Sequence, residues 1–374
     1  MSKQVSAIAT RAARLVDLAL ERVPNKGSLA GDVSRLSRLF TTERGARVGG
    51  YMNDPALRAA YLAYFTPLNA MKVAHLVARL VDEGSLRLPE RPRVLDLGAG
   101  PLSATLGVAL VTGALGPSSA VDRSRATLEA GRELARAVVD DADITLQAGE
   151  VHALPSRALG GPFDLVIIAN ALNEMADARR GSDARLAVVR HALALAGQSG
   201  AVLLVEPASR VHARALGALR DELVAQHGDV VRAPCPFVAR CPMGLTRGDW
   251  CFADLPFTPP PAFIALEARA GLRTPVLQAS HLLLGPPPPV DERRGGARIV
   301  SGPMRSDDVT RRYLCTHRGL RTGIASTSGD PLSRAARGAW LPVVDDTRVV
   351  DERRATGARG GKERGGAGRP RRRR

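Results

Sequence analysis

The chain has 374 residues, 45% of them hydrophobic, with a net charge of +16 at pH 7 and four cysteines. This is a globular composition, long enough for two or three folded units. No apolar run approaches the roughly 20 residues of a membrane-spanning helix. No signal-peptide pattern of charged start, apolar stretch and small-residue cleavage site is seen either. Four cysteines read in a reducing compartment point to metal binding or reactivity before disulfides.

In chain order, residues 1–90 are expected to be helical. The first sixteen, "MSKQVSAIATRAARLV", are basic and free of acids, and helical spacing continues through Val23 with Val5, Ile8, Leu15 and Leu18 near one face. Pro67 is expected to break or kink the helical run that begins at "NDPALRAAYLAYF". From Arg93 short apolar runs alternate with helices: "RVLDLGAG", "SSAVDRS", "ITLQAGE", "FDLVIIAN" and "AVLLVEP". That pattern implies an α/β fold with a parallel sheet and crossover helices over residues 91–232. A Cys-rich insertion follows at 233–256. A helix in "AFIALEARAGL" and a strand in "PVLQASHLLLG" then finish the sheet over 257–289. "GPPPPVDERRGG" reads as a linker, and 290–346 as a small β-rich unit around Cys315. From Thr347 to Arg374 eleven Lys/Arg face three Asp/Glu, half the net charge of the chain. With almost nothing to bury, 347–374 is expected to be a disordered basic tail suited to phosphate backbones.

A nucleotide-type site is expected at the turn after the first strand. In "VLDLGAGPLSATLG", Gly98 and Gly100 stand between a buried strand and a helix, where a ligand can approach the backbone and free N–H groups. Asp122 ends the second strand, where a carboxylate can accept hydrogen bonds from two ribose hydroxyls. Glu150 follows the third strand, where a polar side chain borders an adenine. Asn170 borders the cleft after the fourth. This order resembles the class I methyltransferases that use S-adenosylmethionine, and the resemblance gives Asp96 a part in holding the methionine end. Leu102 stands where the third glycine of such loops falls, and is expected to crowd that end of the cofactor.

No catalytic residue is assigned. "ANALNEM" lacks the Asn-Pro-Pro-Tyr type of loop, and no cysteine lies in it or in "VEPASR" to attack a base. Asn173 and Glu174 also border the cleft and equally suit capping of the next helix.

The thiols run C-x5-C-x9-C-x63-C: Cys235, Cys241, Cys251 and Cys315. Structural zinc sites commonly pair ligands two to four residues apart, which is not the case here. An irregular, proline-bearing loop suits an iron–sulfur cluster, with zinc and unrelated buried or reactive thiols left open. Trp250 is expected to shield one face from water. His281 and His317 are spare candidates for mixed ligation.

"AAYLAYFTPLNAMKV", "VLDLGAGP", "FDLVIIANALNEM", "LLVEP", "VVRAPCPFVARCPM", "GDWCFADLPF" and "YLCTHRGL" together resemble the methyltransferase-like assembly factors of the mitochondrial small ribosomal subunit and their bacterial relatives. The resemblance runs from about Tyr51 to Trp340. It implies a class I methyltransferase (Rossmann-like) sheet carrying N-terminal helices, a four-Cys metal lobe and the C-terminal β-rich unit. It also implies a [4Fe–4S] cluster on the four cysteines, ribosome biogenesis as the setting and small-subunit ribosomal RNA as partner. Two positions depart from the family: Phe237 replaces a histidine common after the first Cys-Pro, and Leu102 replaces the loop glycine. Leu102 leaves open whether methyl transfer is retained.

The expected protein is therefore an rRNA-binding assembly factor, off the membrane and monomeric away from the ribosome. A bacterial cytoplasm is the expected compartment, with the mitochondrial matrix as the alternative. The alternative function is an active RNA or small-molecule methyltransferase with a structural zinc site.

Overall fold

The alternation that begins at Arg93 becomes, in a computed structural model, a mixed sheet covered by helices on both faces. The structure describes residues 3–41, 52, 54–139, 141–151, 159–175, 181–235, 239–245, 248–286, 296–325, 330–341 and 349–350. Residues 287–295 of the expected linker and nearly all of the basic tail lie outside these residues.

Five parallel strands form the centre: β1 (Val94–Leu97), β2 (Ser118–Asp122), β3 (Ile144–Ala148), β4 (Leu165–Ala169) and β5 (Ala201–Glu206), in spatial order 3-2-1-4-5. The chain reverses strand order beside β1, the point at which α/β sheets open a crevice at their carboxyl ends. Beyond β5 lies β8 (Leu277–Leu284), antiparallel to it, with Val205 opposite His281. The outer edge of β8 is shared by two short strands. β7 (Ala253–Leu255) pairs with its first residues and β6 (Val231–Ala233) with its last.

Period-two burial explains the layers. In β4, Leu165 and Ile167 join one core cluster, while Val166 and Ile168 join the other. The first cluster lies under α1 (Lys3–Glu21), α4 (Thr66–Asp82), α5 (Ser103–Thr112), α6 (Arg125–Val138) and α9 (Pro261–Ala270). The second lies under α7 (Gly181–Ala196) and α8 (Arg210–His227). The α1 stripe is Ile8, Ala12, Leu15 and Ala19, at helical spacing. Val5, expected on that face, is exposed.

Pro67 does not break its helix. Between α3 (Pro55–Ala60) and α4 the chain widens into one π-turn, Tyr61–Phe65, closed by the Thr66 N–H to the Tyr61 carbonyl. The wider turn places the missing proline N–H at the start of α4, where it costs least.

A second, antiparallel sheet holds β9 (Ala297–Ile299), β10 (Met304–Ser306), β11 (Val309–Thr316), β12 (Gly319–Ala325), β13 (Trp340–Leu341) and β14 (Val349–Val350). β14 falls within the segment expected to lack structure, and pairs with Thr322 and Gly323. The apolar core of this sheet is small: Ala297, Ile299, Leu314, Ala325 and Leu332.

Arg298, 4% exposed, joins this sheet to the larger one. Its Nη1 donates to both carboxylate oxygens of Glu83, just past the end of α4, at 2.8 Å, and to the Gly338 carbonyl at 2.9 Å. Its Nε donates to the Pro234 carbonyl at 3.2 Å, and its plane lies 5.2 Å from the Trp340 ring. Removing one partner of a buried ion pair leaves the other charge uncompensated, at a cost of about 3–5 kcal/mol. Glu83→Ala is therefore expected to lower the urea midpoint of the second sheet, reported by Trp340 fluorescence. An unchanged midpoint counts against the pair as the join.

Candidate functional site

Two sites emerge, one at the carboxyl ends of the parallel strands and one at the edge of β8.

At the first, Gly98 takes φ +76°, and a Cβ there would lie 2.5 Å from the Ala171 Cβ, so the loop after β1 touches the loop after β4. The Gly100 N–H donates to Asp122 Oδ2 and the Ser124 N–H to Asp122 Oδ1, each at 2.9 Å. Asp122 thus organises both loops with its carboxylate. Each oxygen retains a lone pair for a further donor.

Asp96 lies beneath the glycine loop, fully buried, and its Oδ2 accepts from the Thr105 N–H and hydroxyl at 3.0 Å. Its Oδ1 is buried and has no partner among the described residues. Burial pushes its carboxyl up to about 6. Asp96 therefore staples β1 to α5, and its side chain is not open to the cleft.

Glu150 is exposed, 3.9 Å from Arg123, which lies as far from Glu174 on the other side. Such exposed pairs contribute little to stability. Asn170 takes φ +57°, its N–H donating to the Val205 carbonyl and its carbonyl accepting from Asn173 Nδ2.

Leu102 corrects the expectation made of it. It adopts the left-handed conformation (φ 59°, ψ 30°) that glycine favours, at a cost of about 1–2 kcal/mol. Its side chain is nonetheless 0% exposed, within the first core cluster. A side chain projecting into an open cleft would be exposed, so Leu102 does not occupy the cofactor's space. It packs towards Gly131 of α6, where a Cβ would come within 2.8 Å of Leu102 Cδ1 and 2.4 Å of the Pro101 carbonyl carbon. The glycine absent from the loop is matched by one on the facing helix.

Asn173, read as bordering the cleft or capping the next helix, donates its Nδ2 to Glu206 Oε2 at 2.8 Å, while the Leu172 N–H donates to Oε1 at 3.2 Å. Glu206 ends β5, is 3% exposed, and is pushed up to about 7 by burial. Lys72 on α4 is within electrostatic reach of it and is held down at about 8 by burial. Neither residue was singled out from sequence. An acid closing the apolar run "AVLLVE" was a legible signal for Glu206, whereas Lys72 looks like any lysine of an amphipathic helix.

The second site follows from the edge of β8. Between its pairings with β7 and β6 the chain leaves the sheet at Pro234 and returns at Ala253, and that excursion carries Cys235, Cys241 and Cys251. α8 holds it from one side. Arg220 donates to Asp221 Oδ1 and to the Ala239 carbonyl, Asp221 Oδ1 accepts the Cys241 N–H at 3.0 Å, and Arg214 donates to the Asp249 and Gly244 carbonyls. From the other side Arg337 donates to the Trp250 carbonyl, and Cys315 arrives on β11 beside Arg298 of β9. Trp250 is held in place by two contacts. Its Nε1–H donates to the Ala208 carbonyl and its ring stacks on Phe252.

Cys235, Cys241 and Cys251 line one cavity, with an empty space of ≈ 500 Å³ that includes open solvent. Cys315 packs with Met243 and Val300 against Cys241 and Cys251. All four thiols are raised above the usual range by burial first. The thiols of Cys235, Cys241 and Cys251 then push Cys315 further up, and Cys251 reaches about 12. Thiols distant in sequence thus fall within electrostatic range of one another. Arg220 and Arg298 favour the thiolate of Cys235, and Arg337 that of Cys251.

Among the described residues no group of three or more His, Cys, Asp or Glu side chains is disposed to hold a metal ion. The four thiols converge, but the expected four-Cys metal lobe is not shown as a ligand group among these residues. His281 shares the cavity, and His317 sits at the β11–β12 turn.

A model of the family described as "Mitochondrial small ribosomal subunit Rsm22" matches residues 58–255, from α3 to the end of β7. None of the curated proteins compared with the chain matches it. Among solved structures, it is similar to an S-adenosylmethionine-dependent methyltransferase from Clostridium acetobutylicum (10% identity, 84% of this chain and 82% of that one, TM-score 0.31). A putative one from Methanococcus maripaludis gives 17% identity over 43% of this chain and 67% of that one, TM-score 0.29. The plantazolicin methyltransferase BpumL gives 10% over 72% and 100%, TM-score 0.38. Scores this low say nothing about chemistry. The Rossmann-like methyltransferase fold is read from the strand order and the glycine loop.

The burial of Leu102 has a direct consequence. Leu102→Ala empties core volume and is expected to destabilise the chain by about 2–5 kcal/mol in equilibrium urea unfolding. A residue facing the cleft would show almost no loss.

Proposed function

The chain belongs to the Rsm22 family, and from that membership we propose that it is a methyltransferase-fold assembly protein of the small ribosomal subunit that binds ribosomal RNA and carries an iron–sulfur cluster. The observation that carries this reading is the span of the family match, which takes in both the glycine-loop cleft and the thiol excursion through Cys251.

The donor set fits a soft-metal centre. Four sulfurs surround or adjoin one cavity, with arginines beside them to balance thiolate charge. A single tetrahedral zinc, with Zn–S near 2.3 Å, would need its sulfurs about 3.8 Å apart. The thiol spacing C-x5-C-x9-C-x63-C, without ligands two to four residues apart, supports a sulfide-bridged centre over one zinc ion. Cys235, Cys241, Cys251 and Cys315 would hold it. When bound, the centre supplies a covalent tie between the β6–β7 excursion and the second sheet, and its binding free energy adds to folding. Arg220, Arg298 and Arg337 would stabilise the thiolate forms that ligation needs.

In the cleft, Gly98 and Gly100 would let S-adenosylmethionine approach the backbone. Asp122 would use its remaining lone pairs on the ribose, Glu150 and Asn170 would border the ligand, and Asp96 would hold the floor of the loop. The buried position of Leu102 supports an open methionine end. No residue is assigned to methyl transfer. The RNA partner follows from the family and from the basic character of the chain, +16 overall.

The test uses the full chain purified anaerobically. Affinity for small-subunit RNA is expected to fall at least about a hundredfold between 50 and 200 mM salt, as counterion release requires for several phosphate contacts. Cys241→Ala and Cys315→Ala are expected to lose iron and sulfide to the same extent. RNA affinity no greater than that of a protein of similar charge, or full iron retention in Cys315→Ala, contradicts the reading.

A further inference from the structure

Of the groups that line the thiol cavity, His281 is the one left without an explanation. It sits on β8 where the outer edge of that strand is bare of both β6 and β7. It is 5% exposed, and both ring nitrogens are buried with no hydrogen-bond partner among the described residues. A buried polar group left unpaired costs about 1–3 kcal/mol, and an imidazole leaves a donor and an acceptor unmet. The charged neighbours that act on it are Arg79 of α4 and Arg298 of β9. Guanidinium groups carry donors only, so neither can accept the imidazole N–H. The neighbouring Ser280 hydroxyl donates to the Cys251 carbonyl at 2.8 Å, which leaves its oxygen and the sulfurs of Cys235, Cys241 and Cys251 as the side-chain acceptors that line the cavity.

We propose that His281 donates its ring N–H to a sulfur of the inorganic centre held by the four cysteines, as a positioning and potential-setting residue and not as a ligand. The inference rests on the cluster reading above. Hydrogen bonds to cluster sulfurs are among the factors that set reduction potential. An N–H donor stabilises the more negative, reduced form, so its loss makes reduction harder. A potential-setting role requires a sulfide-bridged centre, because a lone zinc ion offers no inorganic sulfide and no redox step.

The test begins with iron and sulfide content of the anaerobically purified chain, followed by a reductive titration read by electron paramagnetic resonance. His281→Phe is expected to keep its iron and sulfide and to shift the midpoint to a more negative potential. His281→Gln, which restores an N–H donor, is expected to bring it back towards the wild-type value. In the wild-type chain labelled with 15N-histidine, pulsed resonance of the reduced centre should show one weakly coupled nitrogen, absent from His281→Phe. That measurement stands even if the phenylalanine variant folds poorly, because His281→Gln should lose the same signal.

An unmoved midpoint in His281→Phe at full iron content overturns the inference and leaves the cluster reading intact. A strongly coupled nitrogen also overturns it, by making His281 a ligand. A wild-type chain without iron and sulfide takes down both.

Discussion

One buried guanidinium ties the architecture together. Arg298 meets the carboxylate of Glu83 at the end of α4, the carbonyl that precedes Cys235, and the Gly338 carbonyl, and it faces the Trp340 ring. Three parts of the chain far apart in sequence thereby share one charge. The small second sheet, with five buried core residues among those described, has too little apolar surface to hold its position by burial alone. A charge this deeply buried is stable only with its partners in place. The geometry of the thiols therefore depends on Arg298 before any metal is considered: it fixes the carbonyl before Cys235 on one side and neighbours Cys315 across the β9–β11 ladder on the other.

On the proposed reading, ionic contacts and an inorganic centre divide the work. The arginines of α8 and of the second sheet bring the excursion near its final course by gripping backbone carbonyls at Ala239, Gly244, Asp249 and Trp250. What they leave is four thiols pushed up by burial, with Cys241, Cys251 and Cys315 pushed further by neighbouring thiols. A cation among them reverses that shift, because the thiolate is the ligand. On α4, Lys72 interacts electrostatically with Glu206, while Arg79 donates to the Asp254 carbonyl in β7. α4 is thus a rigid element common to both sites.

The sheet was legible in the sequence because its strands are short apolar runs between glycines and polar helices, from "RVLDLG" through "AVLLVE". The convergence of Cys315 with the first three thiols was legible only through family resemblance. Spacing carries no sign of a contact formed across two sheets. Leu102 was misread for a physical reason. Its residue type predicts conflict in a glycine loop, but the compensating space lies at Gly131, 29 residues on, and is visible only once α6 packs against the loop. The contact that Asn173 makes was not legible, since its partner Glu206 comes from another strand. Arg298, in the stretch "GGARIVSG", has no local pattern that marks it as buried.

The central claim, that four thiols share one sulfide-bridged centre at the seam of two sheets, is tested most directly by iron K-edge X-ray absorption on the anaerobically isolated chain. The account predicts a first shell made of sulfur alone, with iron–iron scattering beyond it. Zinc in place of iron, a first shell of oxygen and nitrogen, or no bound metal at all would contradict it.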